Sequence, residues 1–480
     1  MHNLKTAREK FLFKSKEFES FLIDGITGER YGAFEFEFED GDWQAQRKLL
    51  DISKGEITYE PALTTRVKDR YDMTILGAEK ASGDYTGKYY IRTDKFSDKY
   101  QVYTYDPRTD SFSDQPVLAH PEFNISGLIR STREQDAGEV IGFTYAGPRT
   151  ETVWIDPEMK AIQAGLEQAY QGHNVSIRST TPDRNRILFV VSSPTMAPSY
   201  FLLLDKSKVA VIGNERPWMD TDSLGEAGFE YATARDGQKI PMLITYPAGF
   251  EKGKDKARGA IIQPHGGPWA RDFEGFDSFG WEQYFASRGF IVLRPQYRGS
   301  TGFGRQLWLS GDREWGQAMQ DDKDDTAKWL VDQGYVDADK IAIHGYSYGG
   351  FAAMAAAVRP DGPYRCAIAG AGVSQLSVIK NDWSRGRIQK ASQGNTLDGM
   401  DPFQNANKID IPILIYHGDL DVRVPLKHST AFYNRIKDRS PQSELVVIRE
   451  MGHQSNKWTT ENKAEVLENM ERFLTTTCGM

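Results

Sequence analysis

The sequence predicts a two-part chain: an all-β first half built from repeats, then an α/β half whose doubly wound, mostly parallel sheet carries helices on both faces. Three observations lead there. Residues 1–215 run as strand-like segments parted by Asp, Gly and Pro turns. From residue 226 on, apolar strand runs alternate with helical segments, the pattern of a parallel sheet buried on both sides. One strand-to-helix junction at residues 340–358 holds Gly345-Tyr346-Ser347-Tyr348-Gly349. A chain of 480 residues divides naturally into two domains.

Composition narrows the function classes. The net charge is −8, which argues against nucleic acids and anionic membranes as partners. The two cysteines, Cys366 and Cys478, fit neither a metal spacing nor a disulfide framework and are expected as separate buried or incidental thiols. The first residues, Met1-His2-Asn3-Leu4-Lys5, contain no apolar leader core, and no later run approaches a membrane span. The expected location is cytoplasmic, or periplasmic or secreted if a segment is missing from the N-terminus.

In the first half an aromatic or aliphatic strand runs into an Asp and a turn four times: Phe21–Asp24, Val102–Asp106, Val153–Asp156 and Leu202–Asp205. Lys48–Asp51 is a weaker copy. The last three copies lie 50 and 49 residues apart, close to the ~50-residue period of some propeller blades. Such units cannot bury their faces alone and must stack on neighbours. The stretch is short for a closed ring, so an incomplete β-propeller is expected over residues 1–215. An irregular β-rich domain is the alternative, since Asp is a common turn residue.

Residues 206–226 mix charge, Gly and Pro and read as the junction. A hairpin around Asp236-Gly237 follows, joining Phe229–Thr233 to Met242–Tyr246. Strand Ala260–Ile262 leads into Pro264-His265-Gly266-Gly267-Pro268. A helix around Trp281–Ser287 precedes strand Phe290–Leu293, and a polar-faced helix spans about Gln317–Gln333. Strand Ile341–Ile343 enters the Ser347 junction, and Phe351–Val358 reads as helix. Further strands are expected at Ala367–Ala369, Ile413–Tyr416 and Leu445–Ile448, with helices at about 426–438 and 461–475. Residues 226–480 form the expected second domain.

The chemistry centres on Ser347. A reversal from strand to helix this tight strains the middle residue and requires small flanks. It also places the hydroxyl at a helix N-terminus, where developing negative charge is stabilised. A serine nucleophile needs a general base, and the base needs an orienting carboxylate. In α/β-hydrolases these follow in the order Ser, Asp, His. His453, in the loop after strand Leu445–Ile448, is the expected base; His428, in a helix, is expected on the surface. Asp419 and Asp421 both follow strand Ile413–Tyr416, and spacing does not choose between them. The oxyanion donors are expected from the N–H of Tyr348 and from the His265-Gly266-Gly267 loop, where glycine lets backbone approach substrate.

Together these segments resemble the prolyl oligopeptidase family of serine peptidases. The resemblance rests on His265-Gly266-Gly267-Pro268, Tyr297-Arg298-Gly299-Ser300-x-Gly302-Phe303-Gly304, Glu314-Trp315-Gly316, Gly345-Tyr346-Ser347-Tyr348-Gly349-Gly350, His417-Gly418-x-x-Asp421-x-x-Val424-Pro425 and Gly452-His453. Among subgroups the pattern is most similar to the acylaminoacyl-peptidase-like oligopeptidases. The resemblance implies an α/β-hydrolase domain over 226–480 preceded by propeller blades. It implies Asp421, not Asp419, as the acid, Arg423 on a substrate carbonyl, and Tyr348 and Val424 in the primary specificity pocket. The glutamate-rich motif by which dipeptidyl peptidases hold a free amino terminus has only a poor match, Gly41–Gln46.

The expected function is hydrolysis of short peptides through an acyl-enzyme on Ser347, with His453 as base, Asp421 as its orienter, and the N–H groups of Tyr348 and Gly267 holding the oxyanion. No metal or organic cofactor is implied. The expected partner is a peptide substrate, with no nucleic acid and no membrane; a homo-oligomer is left open. The alternatives are a carboxylesterase with the same triad, or a β-repeat binding protein with an inactive hydrolase domain.

Overall fold

The computed structural model describes residues 2–3, 8–9, 20–24, 30–51, 54–383 and 393–480. The chain divides into two compact units, one of residues 1–119 and 127–141, the other of residues 120–126 and 142–480. The division therefore falls earlier in the chain than the charged stretch at 206–226.

The first unit is built from antiparallel meanders. Strands Ser20–Ile23, Arg30–Glu39, Asp42–Asp51 and Glu56–Tyr59 make one; Met73–Ala81, Asp84–Thr93, Gln101–Asp106 and Ser111–Phe112 make the next. Leu49, Leu63, Met73, Tyr89, Ile91 and Tyr105 are buried together at its core. In the second unit, Asn174–Thr180, Arg186–Ser193, Met196–Leu204 and Lys208–Asn214 form a further meander of the same kind. The Asp-terminated copies now acquire a position. Asp51 and Asp106 end, and Asp205 directly follows, the third strand of four. The weak copy at Lys48–Asp51 thus occupies the repeat position, whereas Phe21–Asp24 belongs to a first strand.

One element departs from the all-β reading of the first half: Pro157–Ala169 is an α-helix. The Asp156 side chain accepts from the Met159 N–H, and Pro157 takes the first helical position. The third copy of the Asp signal thus follows a strand as expected, Thr150–Trp154, and its Asp serves in addition as a helix N-cap, the other common use of Asp before Pro.

The eight-stranded sheet of the second unit comprises β1 (Ala227–Thr233), β2 (Lys239–Thr245), β3 (Gly259–Ile262), β4 (Phe290–Pro295), β5 (Ile341–Tyr346), β6 (Cys366–Gly370), β7 (Ile413–Gly418) and β8 (Glu444–Ile448). Their order is 1-2-4-3-5-6-7-8. β2 runs antiparallel to β1 and β4, and the rest pair in parallel. The continuous apolar runs are explained by burial on both faces. Ile262, Ile343, Ala369 and Ile415 join one core cluster; their neighbours Ile261, Ala342, Ile368 and Leu414 join the other. Because parallel strands all point one way, the loops after β3, β5, β7 and β8 emerge at one sheet end.

Two expectations are corrected. Cys366 and Cys478 are not separate thiols but a disulfide, with Cα atoms 5.8 Å apart. Cys366 opens β6 and Cys478 follows the last helix, Thr460–Thr476; their 112-residue separation hid a proximity that only packing of that helix on the sheet creates. His428 is fully buried, not on the surface. It shares one face of helix Lys427–Ile436 with Phe432 and Ile436, a spacing of four that turns it toward the core.

The disulfide closes a long loop and so restricts the unfolded chain. The Cys366→Ala/Cys478→Ala variant is expected to lose about 2–4 kcal/mol of stability, read as a lower urea midpoint. Reductant should bring the wild-type midpoint down to that of the variant and leave the variant unchanged.

Candidate active site

Ser347 stands between β5 and helix Tyr348–Ala357 with φ 60° and ψ −116°, a left-handed conformation that side chains other than glycine avoid. The surrounding backbone leaves it no alternative. Its N–H donates to the Gly370 carbonyl at 2.9 Å, and its carbonyl accepts from the Phe351 N–H at 3.0 Å. A Cβ on Gly345 would lie 2.4 Å from the Gly349 carbonyl carbon, and one on Gly349 would lie 2.3 Å from the Pro264 carbonyl oxygen. Glycine at both flanks is a requirement of close approach.

His453 Nε2 lies 3.0 Å from Ser347 Oγ, and His453 Nδ1 lies 2.6 Å from Asp421 Oδ2. A carboxylate only accepts, so Nδ1 carries the proton and Nε2 is left to accept from the serine hydroxyl. The other carboxylate oxygen, Asp421 Oδ1, accepts from the N–H groups of Arg423 and Val424, both at 2.9 Å. Burial alone would push this carboxyl up. Hydrogen bonds with His417 and His453, the charge of His453 and the Val424 N–H outweigh it and hold Asp421 well below the usual carboxylate range.

The acid left open by spacing has a distinct place. Asp419 Oδ1 accepts from the Glu450 N–H at 2.7 Å and so ties the β7 loop to the loop that carries His453. Trp458 Nε1 donates to the Gly452 carbonyl at 2.8 Å on the other side. Behind Asp421 sits buried His417, whose Nε2 donates to the Val424 carbonyl at 2.8 Å and whose Nδ1 meets Ser429 Oγ at 2.7 Å. His417 closes the Asp421–Val424 turn. The sequence offered it only as part of a motif.

The His265-Gly266-Gly267 loop runs beside the serine: a Cβ on Gly266 would stand 3.4 Å from Ser347 Cβ. Its peptide planes are fixed from behind. His265 Nδ1 donates to the Gly266 carbonyl at 2.7 Å, and the Tyr297 hydroxyl donates to the His265 carbonyl at 2.7 Å. His265 Nε2 then accepts from Ser300 Oγ at 2.9 Å. Burial holds His265 below its ordinary pKa, which suits this neutral tautomer. In a trans peptide the C=O and N–H point opposite ways, so anchoring the Gly266 carbonyl aims the Gly267 N–H. Tyr348 is the first residue of its helix, and its N–H has no acceptor within that helix.

A cavity of about 800 Å³ adjoins Ser347. Trp269, Trp315, Tyr348, Val373, Ile379 and Val424 line it, with Arg423 exposed at its rim. Trp315 meets Tyr348 edge to face at 4.6 Å. Tyr348, Val424 and Arg423, which the resemblance implied as substrate-facing, all border this cavity; the lining by the two tryptophans, which come from separate loops, was not anticipated.

The sheet order and the Ser–His–Asp arrangement define an α/β-hydrolase. Residues 277–480 match the profile of the prolyl oligopeptidase family, and this part of the chain is a domain of that family. The chain is 28% identical to dipeptidyl aminopeptidase BIII of Pseudoxanthomonas mexicana over 351 residues, 66% of this chain and 50% of the relative. It thus spans about half the length of that relative. Among solved structures, a puromycin hydrolase superposes with a TM-score of 0.69 at 19% identity, covering 95% of this chain and 69% of that one. Pyrococcus horikoshii acylaminoacyl peptidase does so with 0.65 at 16%, covering 99% and 73%. At such identities the likeness concerns the fold.

Asp421 contributes stability wherever it is ionised in the folded chain and would be protonated less readily than in the unfolded one. That contribution is complete above about pH 4, the ordinary carboxyl value, and fades as the pH falls toward the depressed folded value. Asp421→Asn is therefore expected to destabilise most at neutral pH, with the difference from wild type narrowing at about pH 3. Urea unfolding of both proteins across this range checks it; a pH-independent difference would contradict it.

Proposed function

We propose that the protein is a serine peptidase that cleaves short peptides through an acyl-enzyme on Ser347. The observation that carries the reading is the placement of His453, with Nδ1 2.6 Å from Asp421 Oδ2 and Nε2 3.0 Å from Ser347 Oγ; a carboxylate at Nδ1 leaves Nε2 to act as the base. In the proposed reaction Ser347 Oγ attacks the scissile carbonyl carbon while His453 Nε2 takes the hydroxyl proton. The N–H groups of Tyr348 and Gly267 hold the oxyanion. The C–N bond then breaks, and His453 passes its proton to the leaving amine. Water, deprotonated by the same nitrogen, releases the acyl group and restores Ser347.

On this reading the cavity, which sets aromatic and aliphatic walls beside polar Gln393 and Lys427, takes the side chain before the cleaved bond, with Tyr348 and Val424 on its walls, and Arg423 at the rim binds a backbone carbonyl of the acyl part. The meanders of the first half serve as blades of an incomplete propeller that limits peptide size, and residues 226–480 serve as the catalytic domain. A relative named as a dipeptidyl aminopeptidase makes release of dipeptides from a free amino terminus a question for substrates rather than for fold. The disulfide favours an oxidising compartment over the cytoplasm.

Fluorophosphonate labelling of the wild type and of Ser347→Ala tests the reading, with nitroanilides bearing a large apolar residue and their matched esters run in parallel. Anilide turnover is expected to fall at least about 10⁴-fold in Ser347→Ala, together with the labelling. Ester turnover without anilide turnover would favour a carboxylesterase. A folded protein that takes no label would point to a binding role. Comparing free and N-acylated anilides then assigns exopeptidase or acyl-peptide preference.

A further inference from the structure

Helix Ala318–Asp332 was expected to present a polar face, yet its Asp322, Lys323 and Asp324 are all buried. The two carboxylates have cationic partners. Arg298 Nη2 donates to Asp322 at 2.7 Å, and Arg359 Nη1 lies 3.6 Å from Asp324. Lys323 is different. Its side chain is fully inaccessible, and among the described residues no carboxylate comes within ion-pair distance of it. Its Nζ donates to the Met319 carbonyl at 2.5 Å. Otherwise it faces rings, 3.6 Å from the centroid of Tyr297 and 5.4 Å from that of Tyr348.

Tyr297 is the ring that joins the two sides of the oxyanion site. It stacks on His265 at 4.5 Å and on Tyr348 at 5.4 Å; its hydroxyl holds the His265 carbonyl, one peptide before the Gly267 N–H, and lies 3.1 Å from His265 Nδ1, the atom that anchors the Gly266 carbonyl. A cation docked on a desolvated phenol face is strongly attracted to it, which fixes the ring and therefore the direction of its hydroxyl. We propose that Lys323 is a positioning residue for the oxyanion-binding backbone, acting through Tyr297. The proposal rests on the peptidase reading above.

Burial pulls the Lys323 amine down to about 7, against the pull of Asp322 and Asp324 and with that of Arg298 and Arg359. Lys323→Met fills similar space without the charge and so mimics the neutral form. It is expected to lower kcat about tenfold with KM nearly unchanged, because substrate binding does not use the oxyanion donors fully until the transition state. Tyr297→Phe keeps the ring and removes the hydroxyl, and should lower kcat on its own. In the double variant Lys323→Met should cost nothing further, since the hydroxyl it places is gone.

The cycle is run on anilide turnover, with thermal unfolding to confirm that each variant folds; Lys323→Gln replaces Lys323→Met if the latter does not. A wild-type kcat in the Lys323 variant, a loss confined to KM, or losses that multiply in full in the double variant would each overturn the proposal. A wild-type protein without Ser347-dependent turnover would overturn the peptidase reading and this proposal with it, whereas an active wild type with a multiplicative cycle overturns this proposal alone.

Discussion

The structure depends on one strained residue. Ser347 holds a positive φ because the chain on every side is packed too closely for it to relax. The peptide bonds of Pro264, Gly349 and Gly370 meet around it at distances where a single methyl group would not fit. Strain of this kind costs of order 1–3 kcal/mol and persists only where neighbouring structure over-determines it. Here the neighbours are the ends of β3, β5 and β6 and helix Tyr348–Ala357. The turn therefore depends on how the ends of these three strands are placed against one another.

The other groups reach the serine by the same device, a short loop leaving the same end of the sheet. Each loop is pinned to its neighbour by groups set behind Ser347, Asp421 and His453. Asp419 ties the β7 loop to the His453 loop, Trp458 holds the far side of that loop, and His417 closes the turn that presents Asp421 and Val424. His265 and Tyr297 do the corresponding work for the glycine loop after β3. Orientation of backbone N–H groups cannot come from side-chain choice at the donor residue. It is set by what holds the preceding carbonyl, and that explains why so many buried polar groups gather behind the site.

The polar burial extends into helix Ala318–Asp332, where two carboxylates pair with arginines and a lysine faces aromatic rings. Buried charge is costly unless it is paired or solvated by the protein. That this cost is carried directly beneath Tyr297 and Tyr348 links the helix to the same backbone loops, and gives the molecule a reason to keep charged residues where an apolar helix face would pack more simply.

Much of this was legible in the sequence because it is local. The strand–turn–helix around Ser347, each apolar run of the parallel sheet and the glycine loop after β3 are encoded within a few residues, and the order Ser, Asp, His, though it spans 106 residues, is a pattern of such local signals. The third-strand aspartates marked the repeats for the same reason, although the Asp156 copy proved to cap a helix, since Asp serves turns and N-caps alike. What tertiary structure alone decided are contacts between residues distant in the chain. Asp419 and Asp421 are chemically the same, and only the approach of the His453 loop separates their partners. The Cys366–Cys478 bond, the burial of His428 and the aromatic surroundings of Lys323 depend on which helix face meets the sheet. Spacing along a chain limits what neighbours can do, while proximity between distant segments is set by packing.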